Sequence, residues 1–204
     1  MARGHSEKSK KVLEMTRARG VIRPRDLADA SIRQEYLWRL YMQGHLDRIG
    51  RGLYRLPDAE PPSHSSLAEA AKRLPAGRIC LLTALRYHDI GTQNPAEVWV
   101  ALPFGAFAPT GGYPPLRVVH YTGAALTEGV EIHNIGGVSV PIYSVAKTVA
   151  DCFKYRNKIG LDVALEALRD SWQQHKFTMD ELDRYARICR VSNVMRPYLE
   201  ALVA

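Results

Sequence analysis

The sequence lacks the long apolar runs and paired cysteines that mark membrane and secreted proteins. No stretch approaches the roughly 18 unbroken apolar residues of a membrane helix. Residues 1–11 are polar and basic, and no apolar segment follows them as in a secretory signal. The three cysteines are far apart and odd in number, which argues against a disulfide framework or a zinc site. We therefore expect a cytoplasmic protein with reduced thiols, no membrane partner and no metal.

Positive charge, by contrast, is abundant, but only in the first quarter of the chain. Residues 1–56 contain thirteen Lys and Arg against six Asp and Glu, which accounts for the whole net charge of +7. Residues 57–204 contain fifteen of each sign and are neutral. A basic module joined to a neutral one predicts a polyanionic partner for the first module.

A Pro- and Ser-rich segment coincides with this step in charge. Residues 57–66 hold three prolines and three serines and show neither helical nor strand periodicity. With 46% apolar residues overall, packed cores are expected. We predict an N-terminal module at 1–56, a linker at 57–66 and a second domain at 67–204.

The pattern of the first 56 residues predicts three helices followed by a hairpin. A weak apolar stripe favours a helix over 7–19. Pro24 suits the first turn of a second helix, and Ser31 suits the N-cap of a third helix that ends at Gly44. Residues 45–56 contain two short apolar segments around a glycine-rich tip. This order is that of a winged helix-turn-helix, so we expect the module to bind duplex DNA.

The second domain is predicted to mix helices and strands, which makes the whole chain an α+β protein. The apolar run 98–102 and the alternating run 117–121 favour strands, and 129–142 favours two more around a Gly-Gly turn. Segment 103–115 is rich in Pro and Gly and is predicted to be a loop. Asp162 and Thr178 stand where N-caps are expected. Helices are expected near 66–74, 83–88, 144–156, 161–174, 178–190 and 193–203, which gives a small sheet and a helical C-terminal half.

The third predicted helix supplies the candidate base contacts. In a helix-turn-helix, the start of this helix faces base edges in the major groove. Ser31 opens the helix. Arg33 and Gln34 follow it and can each form two hydrogen bonds, to guanine and to adenine respectively, and Arg39 lies on the outer side with Gln34. Arg33 falls on the apolar side of an ideal helical wheel, so it reaches DNA only if the first turn projects beyond the core.

Five further arginines are the candidate minor-groove and phosphate contacts. The tip of the hairpin places an arginine between two glycines, where it can enter a minor groove. Exposed arginines are usually only solvated, and winged helices also serve as protein-binding modules. The step in charge favours DNA over these alternatives. The five are Arg51 at the tip, Arg48 and Arg55 on the hairpin, and Arg23 and Arg25 at the start of the second helix.

Catalytic motifs are weak in this chain. Ser144-Val-Ala-Lys147 matches the Ser-x-x-Lys motif of serine β-lactamases and penicillin-binding proteins, but the partner motifs are missing. We expect Ser144 to cap a helix and Lys147 to be solvated. A nuclease would need converging carboxylates, for which Glu97, Asp151 and Glu166 are candidates that the sequence does not bring together. Asp151 lies in an apolar turn, where it would cap a neighbouring backbone or meet a partner protein. We therefore expect no catalytic residues and no cofactor.

Five short motifs follow one another along the chain. They are Gly44-His-Leu-Asp-Arg-Ile-Gly-Arg-Gly-Leu-Tyr54, Leu82-Thr-Ala-Leu-Arg-Tyr-His88, Val98-Trp-Val-Ala-Leu-Pro103, and the segments 142–152 and 196–202. Their order resembles that of the AbiEi-type antitoxins of type IV toxin–antitoxin systems, and the first motif is similar to the family's wing. Thr83 departs from the pattern, because serine is commoner at that position.

The resemblance implies a function that the residue spacing does not reveal. It implies a transcriptional repressor of its own operon whose second domain opposes a cognate AbiEii-type nucleotidyltransferase toxin. The implied partners are double-stranded DNA of its own promoter and that toxin, and a homodimer on DNA is compatible with both. No enzymatic activity is expected. The alternatives are an enzyme that acts on nucleic acid, targeted by the winged helix, and a protein–protein adaptor without DNA function.

Overall fold

The computed structural model describes residues 7–50, 52–57 and 64–203. Two compact units divide the chain. The first contains the chain up to Arg73 together with Pro109–Pro115 and Asn134–Val140, and the second contains Leu74–Ala108, Leu116–His133 and the chain from Pro141 onward. Most of the predicted linker lies outside the described residues, and the functional boundary placed there stays a prediction.

A winged helix-turn-helix forms most of the first unit. Its elements are α1 (Glu7–Arg19), a 3-10 helix (Pro24–Ala30), α2 (Glu35–Met42), the strands β1 (Asp47–Gly50) and β2 (Leu53–Arg55), and α3 (Ser65–Arg73). β1 and β2 pair antiparallel, which confirms the predicted hairpin. Ile22 forms an isolated antiparallel bridge with Tyr54 and so extends the hairpin by a third short segment.

The core of the first unit explains why these short elements fold together. α1 contributes Val12, the 3-10 helix contributes Leu27, and α2 contributes Leu37 and Leu40, all at most 1% exposed. Burial of each such side chain contributes roughly 1.5–3 kcal/mol. Helices of this length are marginal in isolation, so this packing stabilises them.

The turn that precedes α2 corrects one prediction. Ser31 does not cap the third helix. It ends the 3-10 helix in a left-handed conformation, with φ of +53°, and its N–H donates to the carbonyl of Ala28 at 3.0 Å. α2 begins only at Glu35, with Gln34 as its N-cap. Residues 31–34 therefore connect the two helices of the motif.

A mixed five-stranded sheet confirms the predicted strands and adds one. The strands are β3 (Arg78–Ile79), β4 (Val98–Pro103), β5 (Leu116–Tyr121), β6 (Val130–Ile135) and β7 (Val138–Tyr143), in the spatial order β5-β4-β3-β7-β6. β3 pairs antiparallel with β4 and parallel with β7, and β4 pairs parallel with β5. The two residues of β3 are too few for a periodic signal, so the sequence did not reveal this strand.

The helices of the second unit complete an α+β fold. They are α4 (Leu81–Tyr87), α5 (Ala124–Thr127), α6 (Val145–Lys154), α7 (Arg156–Ile159), α8 (Leu161–Gln173), α9 (Met179–Cys189) and α10 (Ser192–Val203). α6 is the central one, since nine of its ten residues are buried. Thr178 caps α9 as predicted. The expected cap at Asp162 is wrong, because Gly160 precedes α8 and Asp162 lies in its first turn.

None of the helices within the described residues is long and apolar enough to cross a bilayer.

Candidate nucleic-acid interface

α2 presents one face to the core and another to solvent. Leu37 and Leu40 are buried, whereas Trp38 is 60% and Met42 is 63% exposed. Gln34 at the N-cap is exposed as well. The outer face therefore begins at the N-terminal end of α2, where a recognition helix meets base edges.

Arg33 lies before α2 rather than on it. Its side chain is 80% exposed and forms an ion pair with Glu35 at 3.0 Å. Because Arg33 precedes the first helical turn, the ideal-wheel argument that would place it on the apolar side does not apply. An exposed pair of this kind is weak, so Arg33 is free to turn toward another anion.

Arg39 is engaged with neighbouring side chains of the first unit. Its guanidinium lies 4.3 Å from the ring centroid of Tyr36, and its Nη2 donates to the hydroxyl of Ser9 at 3.2 Å. The contact with Tyr36 lies within α2, and the hydrogen bond to Ser9 joins α2 to α1. A DNA contact would require Arg39 to exchange them for phosphate or a base edge, and that role stays a prediction.

Arg23 and Arg25 flank Pro24 at the start of the 3-10 helix. The N–H of Arg23 donates to Asp26 Oδ2 at 2.7 Å, which fixes this corner of the chain. Burial, assisted by the nearby charge of Arg25, lowers the pKa of Arg23 to about 10. Asp26 also forms ion pairs with Lys72 at 3.3 Å and with Arg19 at 3.9 Å. The Asp26 carboxylate is thus shared by more than one cation. Positive charge is therefore in excess at this corner of the first unit, which favours binding of phosphate.

The arginines of the hairpin differ in their surroundings. Arg48 is exposed on β1, and its Nε donates to the carbonyl of Gly50 at 3.3 Å. Arg55 on β2 is half-buried, and its Nε has no hydrogen-bond partner among the described residues. Arg51, the predicted tip residue, lies outside the described residues. Arg48 is therefore the more exposed of the two hairpin arginines that the structure describes.

Glu69 on α3 is a buried acid that the sequence analysis missed. It is 1% exposed, and its Oε2 has no hydrogen-bond partner in the described part of the chain. Burial raises the pKa of Glu69 to about 7, although Arg55, Arg73 and Lys72 act in the opposite direction. A single glutamate within an otherwise apolar helical stretch was the signal that could have revealed it.

The predicted residues contribute to two grooves of the first unit. We call the first the helix groove; it is lined by Pro24, Arg33, Gln34, Glu35, Trp38 and Tyr54. Pro24 also lines the second, which we call the wing groove. The structure thus brings Arg33 together with Gln34, and Arg23 together with Arg25. Ser31, Arg39, Arg48 and Arg55 line neither groove. The wing groove includes Arg23, Arg25, Gly50, Gly52, Lys72 and Arg73.

Lys147 and Asp151 form an ion pair inside the second unit, so the prediction of a solvated Lys147 is wrong. Both side chains are fully buried, and the lysine Nζ donates to the two carboxylate oxygens at 2.7 and 2.6 Å. The thiol of Cys189 donates to Asp151 Oδ1 at 3.1 Å. Burial raises the pKa of Asp151, against the opposing effect of Lys147. Because the pair is enclosed, removing one partner would leave the other charge buried and uncompensated.

Ser144 behaves as predicted at the start of α6. Its hydroxyl accepts a hydrogen bond from the N–H of Lys147 at 3.4 Å. The Ser-x-x-Lys spacing is therefore explained by a helix cap followed by a core lysine.

The three acids considered for a nuclease have separate partners. Asp151 belongs to the buried ion pair. Glu97 pairs with Arg117 at 3.3 Å, and Glu166 accepts from the N–H and the hydroxyl of Thr92 at 3.1 and 2.9 Å. In the part of the chain that the structure describes, no group of three or more His, Cys, Asp and Glu is arranged to hold a metal ion.

Comparison with known families bears on the winged helix. Residues 11–57 match the family model described as a transcriptional regulator, AbiEi antitoxin. The matched residues contain most of the winged helix-turn-helix. The match extends from within α1 to the residues after β2, so it confirms the resemblance that the wing motif indicated. No curated protein matches the chain.

The fold as a whole is similar to a solved structure. The crystal structure of the RV2827C protein from Mycobacterium tuberculosis has a TM-score of 0.56 and 14% sequence identity to this chain. The similarity covers 90% of this chain and 72% of that one. At this identity it concerns the fold.

The match to a family of transcriptional regulators is confined to residues 11–57. The description of the family names a regulator and an antitoxin rather than an enzyme. The matched residues also contain most of the basic segment, which agrees with a module that binds a polyanion.

Proposed function

We propose that this protein is a cytoplasmic repressor of its own promoter and an antitoxin against an AbiEii-type nucleotidyltransferase toxin. The match of residues 11–57 to AbiEi antitoxin regulators carries the proposal. The concentration of the whole net charge in residues 1–56 supports DNA as the first partner. The toxin as second partner rests on the motifs that resemble the family beyond the winged helix.

The proposed DNA-binding mode places α2 in the major groove and the hairpin beside it. Gln34 and Arg33 are exposed at the start of α2 and line the helix groove. In this mode Gln34 contacts adenine and Arg33 contacts guanine. The glycine-flanked tip approaches the minor groove, and Arg23, Arg25 and Arg48 contact phosphate. A homodimer would place two such modules on two half-sites about one helical turn apart.

The neutral part of the chain is proposed to oppose the toxin. Its balanced charge favours a protein partner over a polyanion. The Lys147–Asp151 ion pair is fully buried in the core, so a substrate in solution cannot reach it. Both observations fit a domain that acts by binding.

Binding of the intact protein to its own upstream DNA tests the first half of the proposal. We expect clear preference over unrelated duplex of equal length, measured by fluorescence anisotropy. With about five arginine–phosphate contacts, affinity should fall roughly 500-fold between about 50 and 200 mM salt. Equal and weak binding to both duplexes would contradict the repressor and favour the enzyme or adaptor alternatives. A footprint over one half-site rather than two would contradict the homodimer.

Co-expression tests the antitoxin half. Cells that express the cognate AbiEii-type nucleotidyltransferase should stop growing, and the intact protein expressed from an unrelated promoter should restore growth. The unrelated promoter separates neutralisation of the toxin from repression of its operon. Growth arrest that persists at high levels of the protein would contradict this half of the proposal.

A further inference from the structure

A loop from the middle of the chain belongs to the winged-helix unit. Residues Pro109–Pro115 lie between β4 and β5 in sequence, about fifty residues after the hairpin, yet they form part of the first compact unit. The sequence analysis predicted only a loop there. The loop therefore contributes to the surface of the first unit.

Arg73 on α3 holds this loop in place. Its Nη1 donates to the carbonyl of Pro114 at 2.5 Å, and its Nη2 donates to the carbonyl of Gly111. Gly111 and Gly112 both adopt left-handed conformations, with φ of +70° and +82°. A Cβ on Gly112 would lie 3.4 Å from the guanidinium of Arg73. Both glycines therefore adopt a backbone conformation that other residues rarely adopt, and at Gly112 the backbone also passes close to Arg73.

The held segment forms one side of the wing groove. Residues 109–112 line it together with the glycines on either side of the hairpin tip and with a set of cations. The only acid that pairs with any of these cations within the described residues is Asp26, and Lys72 binds it. Thr110 is exposed at this side of the groove. The cations of the groove are Arg23, Arg25, Lys72 and Arg73.

We propose that the wing groove binds the phosphate backbone of duplex DNA and that loop 109–112 is a second DNA contact beside the hairpin. The inference rests on the proposed function, because it extends the surface on which the AbiEi-type winged helix binds its promoter. An open groove with excess positive charge and flexible-backbone glycines suits a phosphodiester. Gly50 and Gly52, which line the groove, flank in sequence the predicted minor-groove residue Arg51.

Charge substitutions at Thr110 test the inference, with the exposed Thr122 of the second unit as the matched control. Thr110→Asp should weaken binding to the upstream duplex by about tenfold at low salt, since it puts a negative charge near phosphate. Thr110→Lys should strengthen binding and steepen the salt dependence by about one counterion. Thr122→Asp and Thr122→Lys carry the same charges and should change affinity less than twofold. The gain of affinity in Thr110→Lys cannot arise from a folding defect.

Hydroxyl-radical footprinting locates the contact. The wild type should protect a backbone stretch next to the wing site, and Thr110→Asp should lose protection there while the α2 site stays protected. Equal affinities and footprints for the Thr110 and Thr122 variants would overturn the inference and leave the repressor intact. If the wild type showed no preference for its promoter, the proposed function and the inference would both fall. A further experiment measures the stability of the wild type in inorganic phosphate at constant ionic strength. If phosphate stabilised the wild type while the Thr110 substitutions left DNA affinity unchanged, the groove would be a site for free phosphate, and the inference would be overturned.

Discussion

Gln34 is the residue whose position best separates base recognition from general affinity for DNA. It is exposed at the N-cap of α2 and carries no charge. We predict that Gln34→Ala relaxes the preference for adenine at one position of the operator by about 1–3 kcal/mol, because a bidentate amide–adenine pair is lost. Selection of bound duplexes from a randomised pool measures this preference.

The matched control for Gln34 is Gln43→Ala, at the exposed C-terminal end of the same helix. The control should leave the selected sequences unchanged. Uniform weakening of Gln34→Ala on all sequences, without a change of preference, would remove Gln34 from the base contacts.

Lys147 shows the opposite case, a charged residue whose role is internal. Removal of one member of a buried ion pair leaves the other charge uncompensated, which typically costs about 3–5 kcal/mol. We predict a loss of this size in the free energy of unfolding for Lys147→Met, measured by urea denaturation. Lys154→Met, an exposed position on the same helix α6, should cost far less.

A double substitution separates the pair from the loss of packing. Lys147→Met with Asp151→Leu removes both charges, and it should recover most of the stability, since apolar replacements of buried pairs are often neutral. If Lys147→Met were no more destabilising than Lys154→Met, the buried pair would be of no consequence for stability.

At the scale of elements, sequence periodicity predicted the long helices and strands. It did not predict the roles of residues whose surroundings depend on the tertiary fold. α1 has the bounds that its apolar stripe predicted, and β4 and β5 were found from apolar runs. Ser31 was misassigned because a serine before a helical pattern fits either a cap or a preceding turn, and only the tertiary fold distinguishes them. Lys147 was misassigned because its spacing of four residues from Asp151 fits an exposed pair as well as a buried one, and only the folded core, where Cys189 donates to Asp151, shows that the pair is enclosed.

Only part of the candidate site could be predicted, because some of its residues come together through contacts that are distant in sequence. Gln34 was predicted from its place at the start of the helix, whereas the helical wheel argued against Arg33; the structure places both in the helix groove. Lys72, Arg73 and loop 109–112 were missed, because nothing local to them shows that α3 and a loop from mid-chain join the winged helix.

The helix α3 carries a titration that should affect stability. The pKa of Glu69 rises from 4.5 to about 7 on folding. Between these values the folded protein holds a proton that the unfolded chain has released, so stability falls as the pH rises through this window and is level on either side. Glu69→Gln cannot titrate. We therefore predict that the stability of Glu69→Gln relative to the wild type increases from pH 5 to pH 8, as followed by urea midpoints.

An exposed acid supplies the control for Glu69. Glu14→Gln on α1 removes the same charge at the surface of the same unit, and its stability relative to the wild type should stay nearly constant over this range. A constant difference for Glu69→Gln as well would mean that the surrounding cations keep Glu69 ionised at all these pH values.

At the scale of the whole molecule, the uneven charge predicts that two activities can be separated. The basic residues 1–56 and the neutral remainder have different kinds of partner in the proposed function. We predict that the double variant Arg33→Gln with Gln34→Ala loses repression of a promoter reporter by roughly tenfold or more, since two base contacts worth about 1–3 kcal/mol each are removed. The same variant should still restore growth to cells that express the AbiEii-type toxin.

The reciprocal control decides whether this separation reflects two sites. Arg196→Gln with Gln173→Ala makes closely related changes at exposed positions of the second unit, and repression should be unaffected by it. If the Arg33 and Gln34 variant lost toxin protection together with repression while remaining folded, protection would depend on DNA binding. The antitoxin effect would then be repression of the toxin gene rather than opposition to the toxin itself, and the neutral part of the chain would need a different explanation.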